Sequence, residues 1–232
     1  MRTAVALACI GLAACSGKPP GDALFPLDAG RAWTYRVTST FENETTERET
    51  LTLRALGNEA VPALDGKAFR RRSDSGVDYW LRSDDKGVYR VASKNDLEAE
   101  AKPDKPERFV LKAPVVVGTQ WQAPTTAYLL KRRAEFPPEI RHSHPAIPMQ
   151  YRIEALGEKV DTAAGHFDKC VRVKGEGTVR VFADPNTGWR DMVLTTLEWY
   201  CPGVGLVRLE RREPANSPFL IGGTLTMELE SW

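Results

Sequence analysis

The chain has 232 residues, with 32 Lys and Arg against 31 Asp and Glu and three histidines. A formal charge of +1 leaves no electrostatic footprint for nucleic acid or a polybasic membrane patch. So few imidazoles also leave little material for a histidine-based catalytic constellation. With 42% hydrophobic residues, the length fits one large all-β domain or two small ones.

At the N-terminus, Met1-Arg2 precedes an apolar run from Thr3 to Ala14. One positive charge and about a dozen apolar residues match a signal-peptide core and fall short of the roughly 20 that span a bilayer. Leu12-Ala13-Ala14-Cys15 closes the run and resembles the lipobox of bacterial lipoproteins. That resemblance implies a signal peptide over 1–14, diacylglycerol on the Cys15 sulfur and cleavage before Cys15. An ordinary secreted protein cut after an A-x-A-like site is the alternative. Two or three acyl chains suffice for stable anchoring without a transmembrane helix, so a membrane is the first expected partner. By resemblance to the sorting rule of enteric bacteria, Ser16 rather than Asp after the cysteine implies the outer membrane, with the chain facing the periplasm. Residues 15–23, including Ser16-Gly-Lys-Pro-Pro-Gly-Asp22, read as a tether reaching roughly 20–25 Å.

Beyond the tether, Pro26-x-x-x-Gly30-x-x-Trp33 recurs as Pro114-x-x-x-Gly118-x-x-Trp121. Further anchors follow in the same order. Ala55-Leu56-Gly57 matches Ala155-Leu156-Gly157, and Gly66 to Phe69 matches Gly165 to Phe167. Trp80 with Gly87-Val88-Tyr89 matches Trp199 with Gly205-Leu206-Val207. A duplication with insertions in the second copy would give this drift of offsets; shared β-turn grammar would be the other source. The copies are expected over 24–95 and 112–232, with 96–111 as linker. The second copy would add a Pro-rich insert (Phe136 to Pro148), an extra hairpin (Thr178 to Leu197) and a C-terminal strand from Thr224 to Glu230 that pairs back to close the sheet.

Within each copy the period is two. Trp33-Thr-Tyr35-Arg-Val37, Leu51-Thr-Leu53-Arg-Ala55, Tyr151-Arg-Ile153-Glu-Ala155 and Val207-Arg-Leu209-Glu alternate apolar and polar residues, as half-buried antiparallel strands do. Turn chemistry separates them at Leu64-Asp65-Gly66, Asp84 to Gly87, Asp184 to Gly188 and Pro202-Gly203. The expected fold is mainly β: an antiparallel meander, duplicated, curved into a sheet or half-open barrel. Each Pro-x-x-x-Gly-x-x-Trp is then structural, with Pro ending a segment, Gly turning it and Trp opening a strand and plugging the end of the sheet.

Chemistry is sparse. His142-Ser143-His144 lies between prolines and reads as a surface loop, His166 as a turn residue, and Asp184-x-Asn186-x-Gly188 as a hairpin turn without the full ligand set of a calcium loop. Arg70-Arg71-Arg72 and Lys131-Arg132-Arg133 read as solvated faces. No catalytic residue, metal site or cofactor is expected. In an oxidising compartment Cys170 and Cys201 are expected to pair, with two separate buried thiols as the alternative.

The mature chain also resembles a class of bacterial lipoproteins opening with Phe-Pro-Leu-x-x-Gly-x-x-Trp-x-Tyr, here Phe25 to Tyr35, and closing with Pro-Gly-Val-Gly-Leu-Val, here Pro202 to Val207. At the level of fold it is similar to the lipoprotein carriers LolA and LolB, which implies a half-open barrel cupping acyl chains. The functional expectation is a non-enzymatic envelope lipoprotein binding a lipid or acyl chain through Trp33, Tyr35, Phe69, Tyr79, Leu81, Trp121, Tyr151 and Trp199. The same residues would serve equally as a filled core. In that case the chain would act as a scaffold docking another envelope protein.

Overall fold

The computed structural model describes residues 24–61, 64–133 and 140–232. The signal segment, Cys15 and the tether lie outside these residues, as does most of the Pro-rich insert. Fourteen strands are described. The first half contributes β1 (Ala32–Phe41), β2 (Thr46–Ala60), β3 (Lys67–Ser73), β4 (Asp78–Asp84), β5 (Gly87–Lys94) and β6 (Lys102–Lys112). The second contributes β7 (Gln120–Thr125), β8 (Lys131–Arg132), β9 (Ile147–Thr162), β10 (Gly165–Asp184), β11 (Gly188–Cys201), β12 (Gly205–Glu213), β13 (Leu220–Ile221) and β14 (Gly223–Ser231). A single helical turn, α1 (Ile140–Ser143), precedes β9.

Twelve strands form one antiparallel sheet in the order β6-β5-β4-β3-β2-β1-β14-β12-β11-β10-β9-β7, and β8 and β13 pair separately. Alternation builds it: Trp33, Tyr35 and Val37 of β1 are buried, and β9 alternates buried and exposed from Ile147 to Ile153. Each such large apolar side chain contributes roughly 1.5–3 kcal/mol on burial. The sheet curves until its edges β6 and β7 approach each other. One core then takes residues from both edges, Leu111 from β6 and Trp121 and Ala123 from β7. The result is a nearly closed barrel with one seam. Pro103, Pro106, Lys102 and Lys105 on β6 and Pro124 on β7 sit on those edges, where missing donors and charge discourage pairing with another chain.

The topology departs from the expected layout in four places. Residues 96–111 are not simply a linker, because β6 begins at Lys102 and pairs with β5; Pro103 and Pro106 mask its strand pattern. The extra hairpin is the outer half of β10 and β11, paired from Val171↔Tyr200 to Asp184↔Gly188 with one register shift between Phe182 and Asp184. The C-terminal strand does pair back, but inside the sheet and not at an edge: β14 lies between β1 and β12 and joins the six strands β1–β6 to the five strands β12-β11-β10-β9-β7. His142 to His144 was expected as loop but is partly the α1 turn, where the Ser143 hydroxyl donates to the Ile140 carbonyl at 3.1 Å.

Each of the four recurring tryptophans lies in a strand. Trp33 and Trp121 lie in β1 and β7, Trp80 and Trp199 in β4 and β11. Gly30 and Gly118 both have left-handed φ, 84° and 97°, which a side chain rarely adopts. A three-residue arrangement also recurs. The Trp80 indole donates to Glu59 at 2.9 Å beside Arg70, and the Trp199 indole donates to Glu158 at 2.8 Å beside Arg172. The match is imperfect, because Trp33 faces Leu53 and Trp121 faces Tyr151. That register sets the two Ala-Leu-Gly triplets two residues out of step. Cys170 and Cys201 are bonded, S–S 1.99 Å, and fully buried where β10 begins and β11 ends.

Candidate ligand cavity

One end of the barrel is plugged by the segment that precedes β1. Leu24, Phe25 and Leu27 are buried in the core. The Trp33 indole donates to the Val204 carbonyl at 2.8 Å and Arg31 to the Gly203 carbonyl at 2.9 Å. The residues of the Phe-Pro-Leu and Pro-Gly-Val-Gly segments therefore meet at this end.

Above the plug lies an interior cavity of about 300 Å³, at the small end of the range for small-molecule sites. Its apolar wall includes Leu53, Leu81, Leu206 and Leu209. Five tyrosines, three arginines and Glu198 also face it. Tyr128, which follows β7 and is 56% exposed, and Arg108 of β6 mark its rim at the seam.

Four of the sequence-predicted ligand residues line this space: Tyr35, Tyr79, Leu81 and Tyr151. Trp33 lies beneath it against Arg71, and Trp121 stacks on Tyr151, centroids 5.6 Å apart and 10° from parallel. Phe69 packs against the core without reaching the cavity. Trp199 does not share the site: Glu198 and Tyr200 point inward, so strand alternation turns Trp199 outward. Tyr151 sits over Gly175, where an added Cβ would fall 2.8 Å from its ring; the glycine makes room for the Trp121–Tyr151 stack.

The polar residues were missed. The reading of Arg70-Arg71-Arg72 as a solvated face fails for its middle member. Arg70 and Arg72 point outward and bridge Asp78 at 2.8 and 3.0 Å, while Arg71 is 8% exposed. Its guanidinium sits between the rings of Phe25 and Trp33, 4.3 and 4.2 Å from their centroids, and Nη2 donates to the Pro26 carbonyl at 2.9 Å. Nε is buried without a partner. Burial lowers the Arg71 pKa to about 10, which keeps it charged at neutral pH. The signal was in parity, since Phe69, Arg71 and Ser73 share the inward face.

Glu198 accepts from the Tyr200 hydroxyl at 2.5 Å and the Thr196 hydroxyl at 3.4 Å, and burial raises its pKa above the usual carboxylate value. Tyr35 donates to the Leu206 carbonyl at 2.9 Å. Burial pushes the Tyr35, Tyr151 and Tyr200 hydroxyls well above the ordinary tyrosine range. All three are neutral donors at physiological pH.

Buried charges behind the rim hold it in place. Glu213, fully buried, accepts from the backbone N–H groups of Tyr128, Leu129 and Leu130 at 2.8–3.0 Å and from Arg211. Arg211 lies 4.7 Å from the Tyr128 ring centroid. A larger groove, about 500 Å³, runs over the outer face of β3–β5 beside Trp80, but its arginines and aspartates already pair with each other.

No family model matches the chain, and no curated protein matches it. Two solved structures are similar. A candidate lipoprotein from Parabacteroides distasonis has 16% identity and a TM-score of 0.42, over 90% of this chain and 97% of that one. A candidate exported protein with a YmcC-like fold from Bacteroides fragilis has 16% identity and a TM-score of 0.38, over 89% and 97%.

Proposed function

We propose that this chain is a non-enzymatic lipoprotein of the bacterial envelope that carries a small amphipathic molecule, such as a lipid or fatty acid, inside its barrel. The observation that carries the reading is the cavity itself, which Leu53, Leu81, Leu206 and Leu209 line together with five tyrosines and which β6 residues and Tyr128 border. The proposed Cys15 anchor would hold it at the outer membrane, facing the periplasm. The plug at Leu24–Leu27 would put the closed end nearest the tether, leaving the seam for ligand entry. A cavity-filling substitution tests the reading. An amphipathic fluorophore, anilinonaphthalene sulfonate, should bind the mature chain at one site and lose that site in Leu209→Trp while the circular dichroism stays unchanged. Binding that ignores Leu209→Trp would refute it.

One observation favours docking of another envelope protein as a second reading. Trp189 and Val193, 59% and 50% exposed, share one face of the β10–β11 hairpin. Loss of a co-purifying envelope protein on Trp189→Ser, with fluorophore binding intact, would favour it. We also infer that the two meanders arose by duplication. A profile built from relatives of residues 24–112 should then detect residues 112–232.

A further inference from the structure

Resting on the carrier reading, we propose that the ligand is an organic acid whose anionic group is received by Arg71 at the base of the cavity. The charges there do not balance. Of the three lining arginines, Arg90 is matched by Asp104 through two hydrogen bonds of 2.6 Å. Arg108 stands at the rim, and the charges that act on Glu198 are those of Arg108 and Arg211, while the Glu198 oxygens already take the Tyr200 and Thr196 hydroxyls. Arg71, buried beneath them, is paired with no carboxylate among the described residues. A buried charge is costly unless something of opposite sign meets it.

The donors are likewise in surplus. Nη2 is the Arg71 donor group with an acceptor, and that acceptor is the neutral Pro26 carbonyl. Tyr79 stands opposite Arg71 in the β3–β4 register and, like Tyr151, turns toward the same space. Holding the plug through Pro26 requires one neutral donor, so a fixed guanidinium exceeds that task. The ring faces of Phe25 and Trp33 hold it in one plane, leaving its edge to meet a carboxylate. The leucine wall would then take the apolar body of the same molecule.

The test compares two probes of equal chain length, octanoate and 1-octanol, by isothermal titration of the whole mature chain at neutral pH. Octanoate should bind at least about tenfold tighter than octanol, as a charge-assisted contact warrants. Arg71→Gln keeps a neutral donor for Pro26 and removes the charge; it should bring the two affinities together by weakening octanoate alone. Equal affinities in the unaltered chain, or a preference that survives Arg71→Gln, overturn the proposal while leaving the carrier reading in place. If neither probe binds, the carrier reading falls and takes this one with it. Should Arg71→Gln fail to fold, the ratio in the unaltered chain decides.

Discussion

Glu213→Ala should be the most damaging single truncation away from the cavity lining. The carboxylate accepts three successive backbone N–H groups, from Tyr128, Leu129 and Leu130, and the guanidinium of Arg211. Both side chains of the ion pair are buried, 0% exposed for Glu213 and 6% for Arg211. Removing the carboxylate leaves Arg211 with neutral partners, Thr125 Oγ1 at 3.1 Å, the Thr126 carbonyl at 2.7 Å and the Tyr128 ring. Breaking a buried pair on one side costs about 3–5 kcal/mol. For a chain of this size that corresponds to a Tm drop of roughly 6–20 °C. Urea unfolding followed by tryptophan fluorescence reads it as a lower midpoint at unchanged slope. Glu213→Gln, which keeps an acceptor, should lose less. Replacing the pair together, Arg211→Met with Glu213→Leu, should recover part of the loss, because apolar residues of similar volume substitute well for buried pairs. A cost below about 1 kcal/mol for Glu213→Ala would refute the reasoning.

The Cys170–Cys201 bridge spans 31 residues and should contribute roughly 3–4 kcal/mol; thiol titration of the denatured, unreduced chain should find neither cysteine free. Gly175→Ala places a Cβ within 3 Å of Thr196, Tyr151 and Met149. It should cost about 1–3 kcal/mol and alter the near-ultraviolet signal of the Trp121–Tyr151 stack; a neutral substitution with an unchanged spectrum would contradict that packing. The His166 ring bonds to Asp161, which raises its pKa above the ordinary value. The folded chain therefore favours the protonated ring. This stabilisation is complete below the unfolded value of about 6.5 and fades as pH rises through the folded one. NMR titration should show His166 above that value, and Asp161→Asn should return it.

Alternation and turn residues were enough to read the strands, because period two with one dry face leaves a direct mark on the sequence. The β6 strand was illegible because its prolines carry a turn signal, and only its place at an edge makes them tolerable. The role of β14 was equally hidden, since a strand's pattern says which face is dry but not which neighbours it will join. At the site, Tyr35, Tyr79, Leu81 and Tyr151 were legible as inward aromatic and aliphatic positions. Arg71 and Glu198 were not, because ordinary patterning assigns charge to the wet face. Flanking parity was the available clue: Phe69 fixes Arg71 inward, and Leu194 with Thr196 fixes Glu198. Trp199 misled for the same reason, its size suggesting an interior that its parity denies.

The central claim is that the barrel interior is a ligand site and not merely an imperfectly filled core. Native mass spectrometry of the chain from residue 23 onward, exported without the proposed Cys15 anchor and purified without detergent, tests this directly. The account predicts one small acidic molecule bound per chain, released on denaturation and identifiable in the extract. A bare mass that stays bare after incubation with a total envelope extract would contradict it.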